Sequence, residues 1–319
     1  MIAVTGGAGF IGSRVVDRLV ALGHSVRIID DLSKGQQETR ADCEFIQADL
    51  THPDEALRAM EGVETCFHLA AKIGGIGYFH KYPATILSNN GLLLSSVFAA
   101  AAARGTKIIY ISSSMVYERA TQFPTPETAV MESPPPITHY GFSKLVGEYF
   151  CRAFNEEHGV PIVICRPFNA YGPGEFGEEE PGIAHVIPDL IKKVLRGDHP
   201  LEIFGSGNQT RCFTYVEDVA DGICRAGLDA KAEGEDFNVG VSTPVAIKDL
   251  AAEIWELCGR EEPFELSHIE PLTHDIQTRV PDTSKIEGLL GWRPQVELTE
   301  GLRRTIAWIR EATAAELRA

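Results

Sequence analysis

Tyr140 and Lys144 are the residues whose types and spacing could most readily carry chemistry. They stand four residues apart in "YGFSK" at 140–144, so a helix would place a phenol and an ammonium group on one face. The ammonium charge favours the phenolate and makes the tyrosine a usable base near neutral pH. Ser113, in the serine-rich turn upstream, could hydrogen-bond the same substrate hydroxyl and pass its proton to Tyr140. The structural alternatives are a tyrosine packed in a helix and a serine that closes a turn.

A glycine-rich stretch, "TGGAGFIGS" at 5–13, follows the first apolar run and opens the first helical pattern. Glycines in such a stretch allow a tight turn, close approach of the backbone to a pyrophosphate, and packing of the helix on the strand. The helix N-terminus then faces the phosphates. The stretch predicts a dinucleotide site with contacts from Gly6, Gly9, Phe10, Ile11 and Gly12. A tight strand-to-helix turn that binds nothing is the alternative.

Acidic residues stand at the ends of the next two predicted strands. Asp30 ends the second strand, where its carboxylate can accept hydrogen bonds from both ribose hydroxyls. Asp31 adds to the repulsion of a 2′-phosphate, so the sequence favours NAD over NADP. Asp49 is placed to meet the adenine, or else it caps the helix predicted over 53–60.

The alternation of apolar runs and amphipathic patterns predicts the fold class. The predicted strands are 2–4, 25–30, 43–50, 64–71, 107–114 and 161–168, and the predicted helices between them are 11–22, 53–60, 90–104 and 141–158. This order predicts an α/β fold with a doubly wound parallel sheet, a Rossmann fold, covered on both faces. Further helices, predicted at 187–196, 217–229, 247–259 and 299–316, form a smaller C-terminal lobe. We expect an NAD-binding domain at 1–168 that also receives about 212–243, and a substrate-binding lobe at 169–211 and 244–319.

The composition limits the class of partner. A formal net charge of −16 argues against nucleic acid or an anionic membrane surface as a partner. The seven cysteines are scattered with no CxxC pair, which fits a reducing cytoplasm and argues against a disulfide framework or a metal site. The sequence opens without a signal-peptide pattern, and its longest apolar run, around 92–103, is too short to span a bilayer. We therefore expect a cytoplasmic protein.

Several motifs carry a family resemblance that runs nearly from end to end. They are "TGGAGFIG", "HLAA" at 68–71, "SSSMVY" at 112–117, "YGFSK", "RPFNAYGPG" at 166–174, "GSGNQTRCFTYVEDVA" at 205–220 and "LLGWRP" at 289–294. Together they resemble the extended short-chain dehydrogenase/reductase family, in particular its NAD-dependent nucleotide-sugar epimerases and dehydratases. The resemblance implies hydride exchange between a sugar carbon and nicotinamide, with Tyr140 as base, Lys144 on the cofactor ribose and Ser113 as partner.

The same resemblance implies further contacts. Asn90 matches a position that contacts the cofactor, Asn169 one that contacts the sugar nucleotide, and Arg211 one that pairs with the diphosphate. A guanidinium fork suits phosphate oxygens, and a solvated loop charge is the alternative for Arg211. The other expected cofactor contacts are Leu50, Leu69, Ala70 and Ala71, and the other expected substrate contacts are Lys72, Gly75, Ser114, Met115 and Val186.

Met115 stands where relatives keep a proton-transfer group. The 4,6-dehydratases of the family place Asp-Glu before the Val of the catalytic turn, and the glucuronate decarboxylases keep a Glu there. Ser114 and Met115 occupy these positions, and a thioether is no useful proton donor or acceptor. Both of those reactions are therefore disfavoured.

A rival assignment comes from "AAKIGGIGYFHKYPA" at 70–84, which is similar to a loop of GDP-fucose synthases and GDP-mannose 3,5-epimerases. His185 matches the acid of the former group, or it is a helix-start histidine that contacts substrate or solvent. Those enzymes deprotonate carbons 3 and 5 with a Cys at the position of Met115, so His185 lacks its partner here. Arg279 in "TRVPD" is similar to an Arg of the glucuronate decarboxylases, which would suit a hexuronate carboxylate.

The reaction that needs only NAD, Tyr140, Ser113 and Lys144 is 4-epimerisation through a transient 4-keto sugar, with Met115 as an apolar wall. We therefore expect an NAD-dependent nucleotide-sugar 4-epimerase that acts on a UDP-hexose or UDP-hexuronate. The alternatives are a 3,5-epimerase-like enzyme on a GDP-sugar, another nucleotide-sugar dehydratase or decarboxylase, and a catalytically idle NAD-binding regulatory protein. The intact Tyr, Lys and Ser set argues against the idle protein. The resemblance also implies a homodimer through the helices at 90–104 and 141–158.

Overall fold

A parallel sheet of seven strands forms the centre of the protein in a computed structural model that describes residues 1–34, 42–73, 81–175, 185–271 and 276–316. The strands are β1 (Ile2–Thr5), β2 (Val26–Asp30), β3 (Cys43–Gln47), β4 (Thr65–His68), β5 (Lys107–Ile111), β6 (Ile162–Pro167), β7 (Ala170–Tyr171), β8 (Leu201–Phe204), β9 (Thr210–Arg211), β10 (Thr214–Tyr215), β11 (Asp236–Val239), β12 (Val245–Ala246), β13 (Leu266–Ile269) and β14 (Thr278–Arg279). The central sheet has the order β11-β6-β5-β4-β1-β2-β3. The strand order reverses between β1 and β4, and ligands of doubly wound sheets bind beyond the strand ends at that point.

Ten α-helices lie within the described residues: α1 (Phe10–Ala21), α2 (Pro53–Ala59), α3 (Pro83–Arg104), α4 (Ala129–Glu132), α5 (His139–His158), α6 (Val186–Arg196), α7 (Val216–Leu228), α8 (Ile247–Leu257), α9 (Ser284–Leu290) and α10 (Leu298–Glu316). Short 3₁₀ turns span Ser114–Tyr117 and Ala230–Ala232. The predicted α/β class and doubly wound sheet are confirmed.

Two apolar cores cover the two faces of the sheet, because successive residues of a strand point to opposite faces. On one face Val4 and Ile109 pack with Val16 of α1 and Ile223 of α7. On the other face the neighbouring strand residues pack against α2, α3 and α5, including Ala3, Cys66, Ile108, Val97 and Phe98. A strand buried on both faces reads as a continuous apolar run, which is why the sequence reveals these strands.

A third core joins α6, α8 and α10 through Ile191, Leu250, Ile254, Leu302 and Ile306. In the part of the chain that the structure describes, three small sheets accompany the central sheet: β7 with β10, β8 with β13, and β9 between β12 and β14. β11 joins the central sheet beside β6, in line with the assignment of 212–243 to the first domain. The division into two domains stays a prediction.

Helix α3 is longer than predicted, because it begins at Pro83 and spans 22 residues. By length and composition it is long and apolar enough to cross a membrane, so the expectation that this segment is too short is wrong. Its residues Ile86, Leu94, Val97 and Phe98 are buried in the protein, as in the core helix of a globular domain.

Candidate active site

The glycine-rich loop between β1 and α1 has the shape of a cofactor cradle. Gly6 adopts a φ of +68°, and a Cβ there would lie 2.9 Å from the backbone N of Ala70. A Cβ at Gly12 would collide with the carbonyl of Gly6, so α1 packs on the loop only without a side chain at this position. Phe10 and Ile11 begin α1 half-buried, and the free amides of a first helical turn bind anions. The loop therefore fits the pyrophosphate of a dinucleotide.

Asp30 lies beside this loop at the end of β2. Its Oδ2 accepts a hydrogen bond from the Ala8 amide at 3.0 Å, and its Oδ1 accepts one from the Leu32 amide at 2.9 Å. Burial raises the pKa of Asp30, and these two amide bonds offset part of the rise. Each carboxylate oxygen has a second acceptor site, which a ribose hydroxyl can use. Asp31 is exposed and accepts from the Ser33 amide.

Asp49 does not cap α2, because the residue that precedes the helix is His52. The Asp49 carboxylate instead accepts from the amide and hydroxyl of Thr51, at 2.9 and 2.7 Å. These bonds lower the pKa of Asp49, the hydroxyl bond most. The capping alternative is therefore wrong, and the adenine contact stays a prediction. Leu50 beside it is buried.

The segment after β4 runs against Gly6 and is tied to α5. Leu69, Ala70, Ala71 and Lys72 are all half-buried. Asn90 on α3 accepts from the Lys72 amide at 2.6 Å and donates to the Lys72 carbonyl at 3.2 Å. Its second amide hydrogen goes to Ser143 Oγ at 3.0 Å. Asn90 therefore joins the predicted cofactor segment to the helix of Tyr140 and Lys144. Gly75 lies outside the described residues.

Tyr140, Lys144 and Ser113 come together where β5 ends, because α5 packs across that strand. Ser113 precedes the 3₁₀ turn, accepts from the Met115 amide at 3.2 Å and hydrogen-bonds the Tyr140 phenol. Lys144 is buried and donates to the Ile111 carbonyl at 2.8 Å. Burial lowers the pKa of Lys144 to about 8. The structure thus brings the predicted catalytic residues into one site.

A second cation, Arg279, also acts on the Tyr140 phenol. Burial raises the pKa of Tyr140, while the Ser113 hydrogen bond and the charge of Arg279 lower it. The Lys144 ammonium lies 6.0 Å from the centre of the Tyr140 ring. The Lys144 ammonium therefore lies near the ring, and its expected effect on the phenolate stays a prediction. No spacing in the sequence reveals Arg279, because it reaches the site from a distant strand.

Met115 is buried in a small apolar cluster with Ile86, Tyr140 and the half-buried Ile276. Arg279 Nη2 lies 2.9 Å from Met115 Sδ, and Arg279 Nη1 lies 3.4 Å from Ser114 Oγ. The Met115 thioether and the Ile86 side chain therefore form an apolar wall that packs against Tyr140, and the Arg279 guanidinium contacts the thioether.

Arg211 and Arg279 are neighbours. They are register partners on the parallel strands β9 and β14, so their side chains leave the same face, and both residues are only 8% exposed. The alternative of a solvated loop charge for Arg211 is wrong. Asn169, with a φ of +37°, donates to the Cys212 carbonyl at 3.1 Å and so holds its position next to Arg211. Two adjacent guanidinium groups suit a diphosphate.

His185 is the residue before α6, and its side chain is 53% exposed. Its Nδ1 contacts Oε1 of the buried Glu175, and Val186 beside it is half-buried. Glu175 belongs to the acidic sequence "GEFGEEE", whose composition does not distinguish it from solvated carboxylates. Within the described ranges, no group of three or more His, Cys, Asp or Glu side chains could hold a metal ion.

Comparisons with known proteins agree with this geometry. Residues 2–240 match the NAD dependent epimerase/dehydratase family. The chain is 32% identical to GDP-mannose 3,5-epimerase of Arabidopsis thaliana over 99% of this chain and 83% of that protein. It is also 32% identical to UDP-glucose 4-epimerase of Mycolicibacterium smegmatis over 96% of this chain and 97% of that one. The structure of UDP-glucose 4-epimerase from Thermotoga maritima with UDP-glucose is similar, with a TM-score of 0.88, 31% identity and coverage of 98% and 99%.

The chain therefore belongs to the NAD-dependent epimerase/dehydratase family. It is an enzyme of the nucleotide-sugar epimerase, dehydratase and decarboxylase class, and NAD is its cofactor.

Proposed function

We propose that this enzyme is a nucleotide-sugar 4-epimerase that acts on a UDP-hexose or a UDP-hexuronate. The observation that carries the proposal is the Met115 wall. A dehydration, a decarboxylation or a 3,5-epimerisation needs another proton-transfer group beside the sugar, and the thioether of Met115 cannot serve. What remains is oxidation at carbon 4, rotation of the 4-keto sugar, and reduction on its other face.

The residues of the site have distinct tasks in this reaction. NAD, when bound, accepts the carbon-bound hydrogen as hydride and returns it. Tyr140 removes the proton of the carbon-4 hydroxyl and later gives it back. Ser113 hydrogen-bonds the phenol and holds the same hydroxyl, and the charge of Arg279 favours the phenolate against the effect of burial. Lys144, fixed to the Ile111 carbonyl beside α5, presents its ammonium to the cofactor ribose.

The two buried arginines support the substrate class. Arg211 can neutralise the negative charge of a diphosphate, and a protein with a net negative charge must place such a positive group locally. Arg279 also contacts Ser114 and Met115 at the sugar end of the site, which supports a hexuronate carboxylate as its partner.

The second candidate is a 3,5-epimerase on a GDP-sugar. The pairing of His185 with the buried Glu175 favours it, because a carboxylate orients an imidazole for proton transfer. The similarity to a GDP-mannose 3,5-epimerase points the same way. Met115 at the position of the required thiol argues against it.

A product screen tests the proposal. The purified holoenzyme is incubated with UDP-, GDP-, CDP- and dTDP-sugars, and products are followed by mass spectrometry and NMR. A 4-epimer of unchanged mass from a UDP-sugar is the expected result. Loss of water indicates a dehydratase and loss of CO₂ a decarboxylase. No product from any sugar would support an idle NAD-binding protein.

We also propose that the protein is cytoplasmic and forms a homodimer. The exposed apolar side chains of α3 and α5, among them Leu92 and Tyr149, support pairing with a second copy.

A further inference from the structure

A buried ion pair is hydrogen-bonded to both ends of the segment 112–117, which carries Ser113 and is called the catalytic turn here. Ser112, which precedes Ser113, donates from its hydroxyl to Glu148 Oε1 at 2.7 Å. Tyr117, the last residue of the turn, accepts on its phenol oxygen a hydrogen bond from Arg166 Nη1 at 2.7 Å. Glu148 and Arg166 are themselves joined by two short bonds, at 2.7 and 2.8 Å, and both are fully buried.

The same pair ties the turn to the helix that carries the proposed base. Glu148 lies on α5, four residues after Lys144, and Arg166 lies on β6 beside β5. Arg166 Nη2 also lies 2.8 Å from Asp236 Oδ2, and the Tyr117 hydroxyl donates to Asn238 Oδ1 at 2.9 Å, both on β11. The turn, the helix and two strands therefore share one set of hydrogen bonds behind the site.

Stability alone is a weak reason to bury such a pair. Desolvation of two charges offsets much of their attraction, and an apolar pair of similar volume is often as stable. The Ser113 hydroxyl and the Tyr140 phenol lie on separate elements, so their contact depends on how the turn sits against α5. A displacement of about 1 Å at such a contact can cost about a hundredfold in rate.

We infer that Glu148 and Arg166 are positioning residues, which fix the catalytic turn against α5 so that Ser113 stays in hydrogen-bond contact with Tyr140. Ser112 and Tyr117 transmit this constraint to the two ends of the turn. The inference rests on the proposed roles of Tyr140 and Ser113.

The variant Ser112→Ala tests this inference with little loss of stability, because Glu148 keeps both of its hydrogen bonds to Arg166. The first readout needs no sugar: the NAD-loaded protein is titrated with base, and tyrosinate absorbance is recorded with and without Tyr140→Phe in the same background. The difference isolates the Tyr140 phenol. Because the Ser113 bond favours the phenolate, we expect Ser112→Ala to move this titration to higher pH. The second readout is turnover with a sugar from the product screen, where kcat should fall about tenfold with KM nearly unchanged.

Controls separate positioning from stability. Thr106→Val removes an equally buried hydroxyl, which donates to the Val63 carbonyl at 2.8 Å just before β5 begins, so it should lower the thermal midpoint without moving the phenol titration. Ser112→Thr restores a hydroxyl and should restore the titration. Tyr117→Phe tests the other end of the turn, and it replaces Ser112→Ala if that variant does not fold.

The inference is overturned if the variant that is used, Ser112→Ala or its replacement Tyr117→Phe, leaves the titration of the Tyr140 phenol unchanged. The pair of Glu148 and Arg166 then serves stability alone. A shifted titration without any sugar turnover keeps the inference and rejects the proposed function.

Discussion

At the scale of single residues, the site depends on a buried phenol that is a poor base unless its neighbours stabilise the phenolate. Tyr140 is 4% exposed, and burial raises its pKa. Ser113 and Arg279 counter this effect through a hydrogen bond and a positive charge. The proposed chemistry therefore rests on three side chains from three separate elements.

Replacing the phenol tests the assignment of the base. We expect Tyr140→Phe to keep the fold and the affinity for NAD, and to lower kcat by a factor of about 10² to 10⁴, the usual effect of losing a positioned acid or base. Steady-state kinetics and an NAD titration measure the two quantities. Tyr149→Phe, at an exposed tyrosine on the same helix, is the matched control. Near-normal turnover in Tyr140→Phe would exclude the phenol as the base.

Lys144 gives the folded state a specific pH dependence. Burial lowers its pKa to about 8, and a lysine in the unfolded chain titrates at about 10.4. Between these values the unfolded chain holds a proton that the folded chain lacks, so the free energy of unfolding rises with pH. Below about pH 8 both states are protonated, and the burial cost is fully present, about 3 kcal/mol.

Lys144→Met removes this dependence. Because the variant has no ammonium group to bury, we expect its free energy of unfolding at pH 8 to exceed that of the parent. This difference, measured with urea on the cofactor-free protein, should shrink as the pH rises from 8 to 10. Lys248→Met, at an exposed lysine, is the control. A difference between variant and parent that stays constant over this range would show that the ammonium is not desolvated.

At the scale of elements, the ends of parallel strands assemble the site. Asp30 ends β2 and joins the loop before α1 to the turn after β2 through its two amide bonds. We propose that its carboxylate also causes a preference for NAD over NADP, because it can accept hydrogen bonds from the two ribose hydroxyls of NAD and would repel the 2′-phosphate of NADP.

Asp30→Asn should weaken this preference. A hydrogen bond to a charged group contributes about 1.5–3 kcal/mol, so we expect NAD affinity to fall about tenfold to a hundredfold while NADP affinity changes less. Fluorescence titration with both dinucleotides measures the ratio, and Asp54→Asn on the exposed side of α2 is the control. An unchanged ratio in Asp30→Asn would refute the assignment.

The sequence predicts the long elements well and the short ones poorly. All six predicted strands and all eight predicted helices are present, with ends that differ by a few residues except at α3. Strands such as β9 and β14, of two residues each, have no periodicity to detect. Their pairing nevertheless brings Arg211 beside Arg279, so the arginine pair is visible only in the structure.

Contacts between side chains that are far apart in the sequence also cannot be predicted from local sequence patterns. The motifs identify Tyr140, Lys144 and Ser113, because helical spacing and a turn encode their proximity. The action of Arg279 on Tyr140 and the contact of Glu175 with His185 depend on tertiary packing. Neither contact can be predicted from the types of these residues or from their spacing in the sequence.

At the scale of the whole molecule, charge and exposed surface determine which partners fit. The net charge of −16 repels an anionic substrate at long range, so the buried arginines must attract it locally. Five large apolar side chains are at least 37% exposed on α3, on α5 and at the residue that precedes α3: Tyr82, Leu87, Leu92, Phe142 and Tyr149.

We predict that a second copy covers this surface. Sedimentation should give a dimer for the parent and a monomer for Leu92→Glu combined with Tyr149→Glu, because each added carboxylate would be desolvated in the interface. Leu289→Glu, at an exposed leucine on α9, should leave the dimer intact. A monomeric parent protein at micromolar concentration would contradict the prediction.

The most direct test of the proposed reaction is where hydrogen exchanges with solvent. A 4-epimerase removes and returns the same hydride within one site, so product formed in heavy water should carry no carbon-bound deuterium. A 3,5-epimerase must replace protons at carbon 3 or 5 from solvent. Because Met115 is the side chain that we propose to lie beside the sugar, we expect NMR and mass spectrometry of the product to show no deuterium incorporation. Deuterium that accumulates at carbon 3 or 5 in step with turnover would contradict the 4-epimerase assignment and point to His185, with Glu175, as the group that transfers the proton.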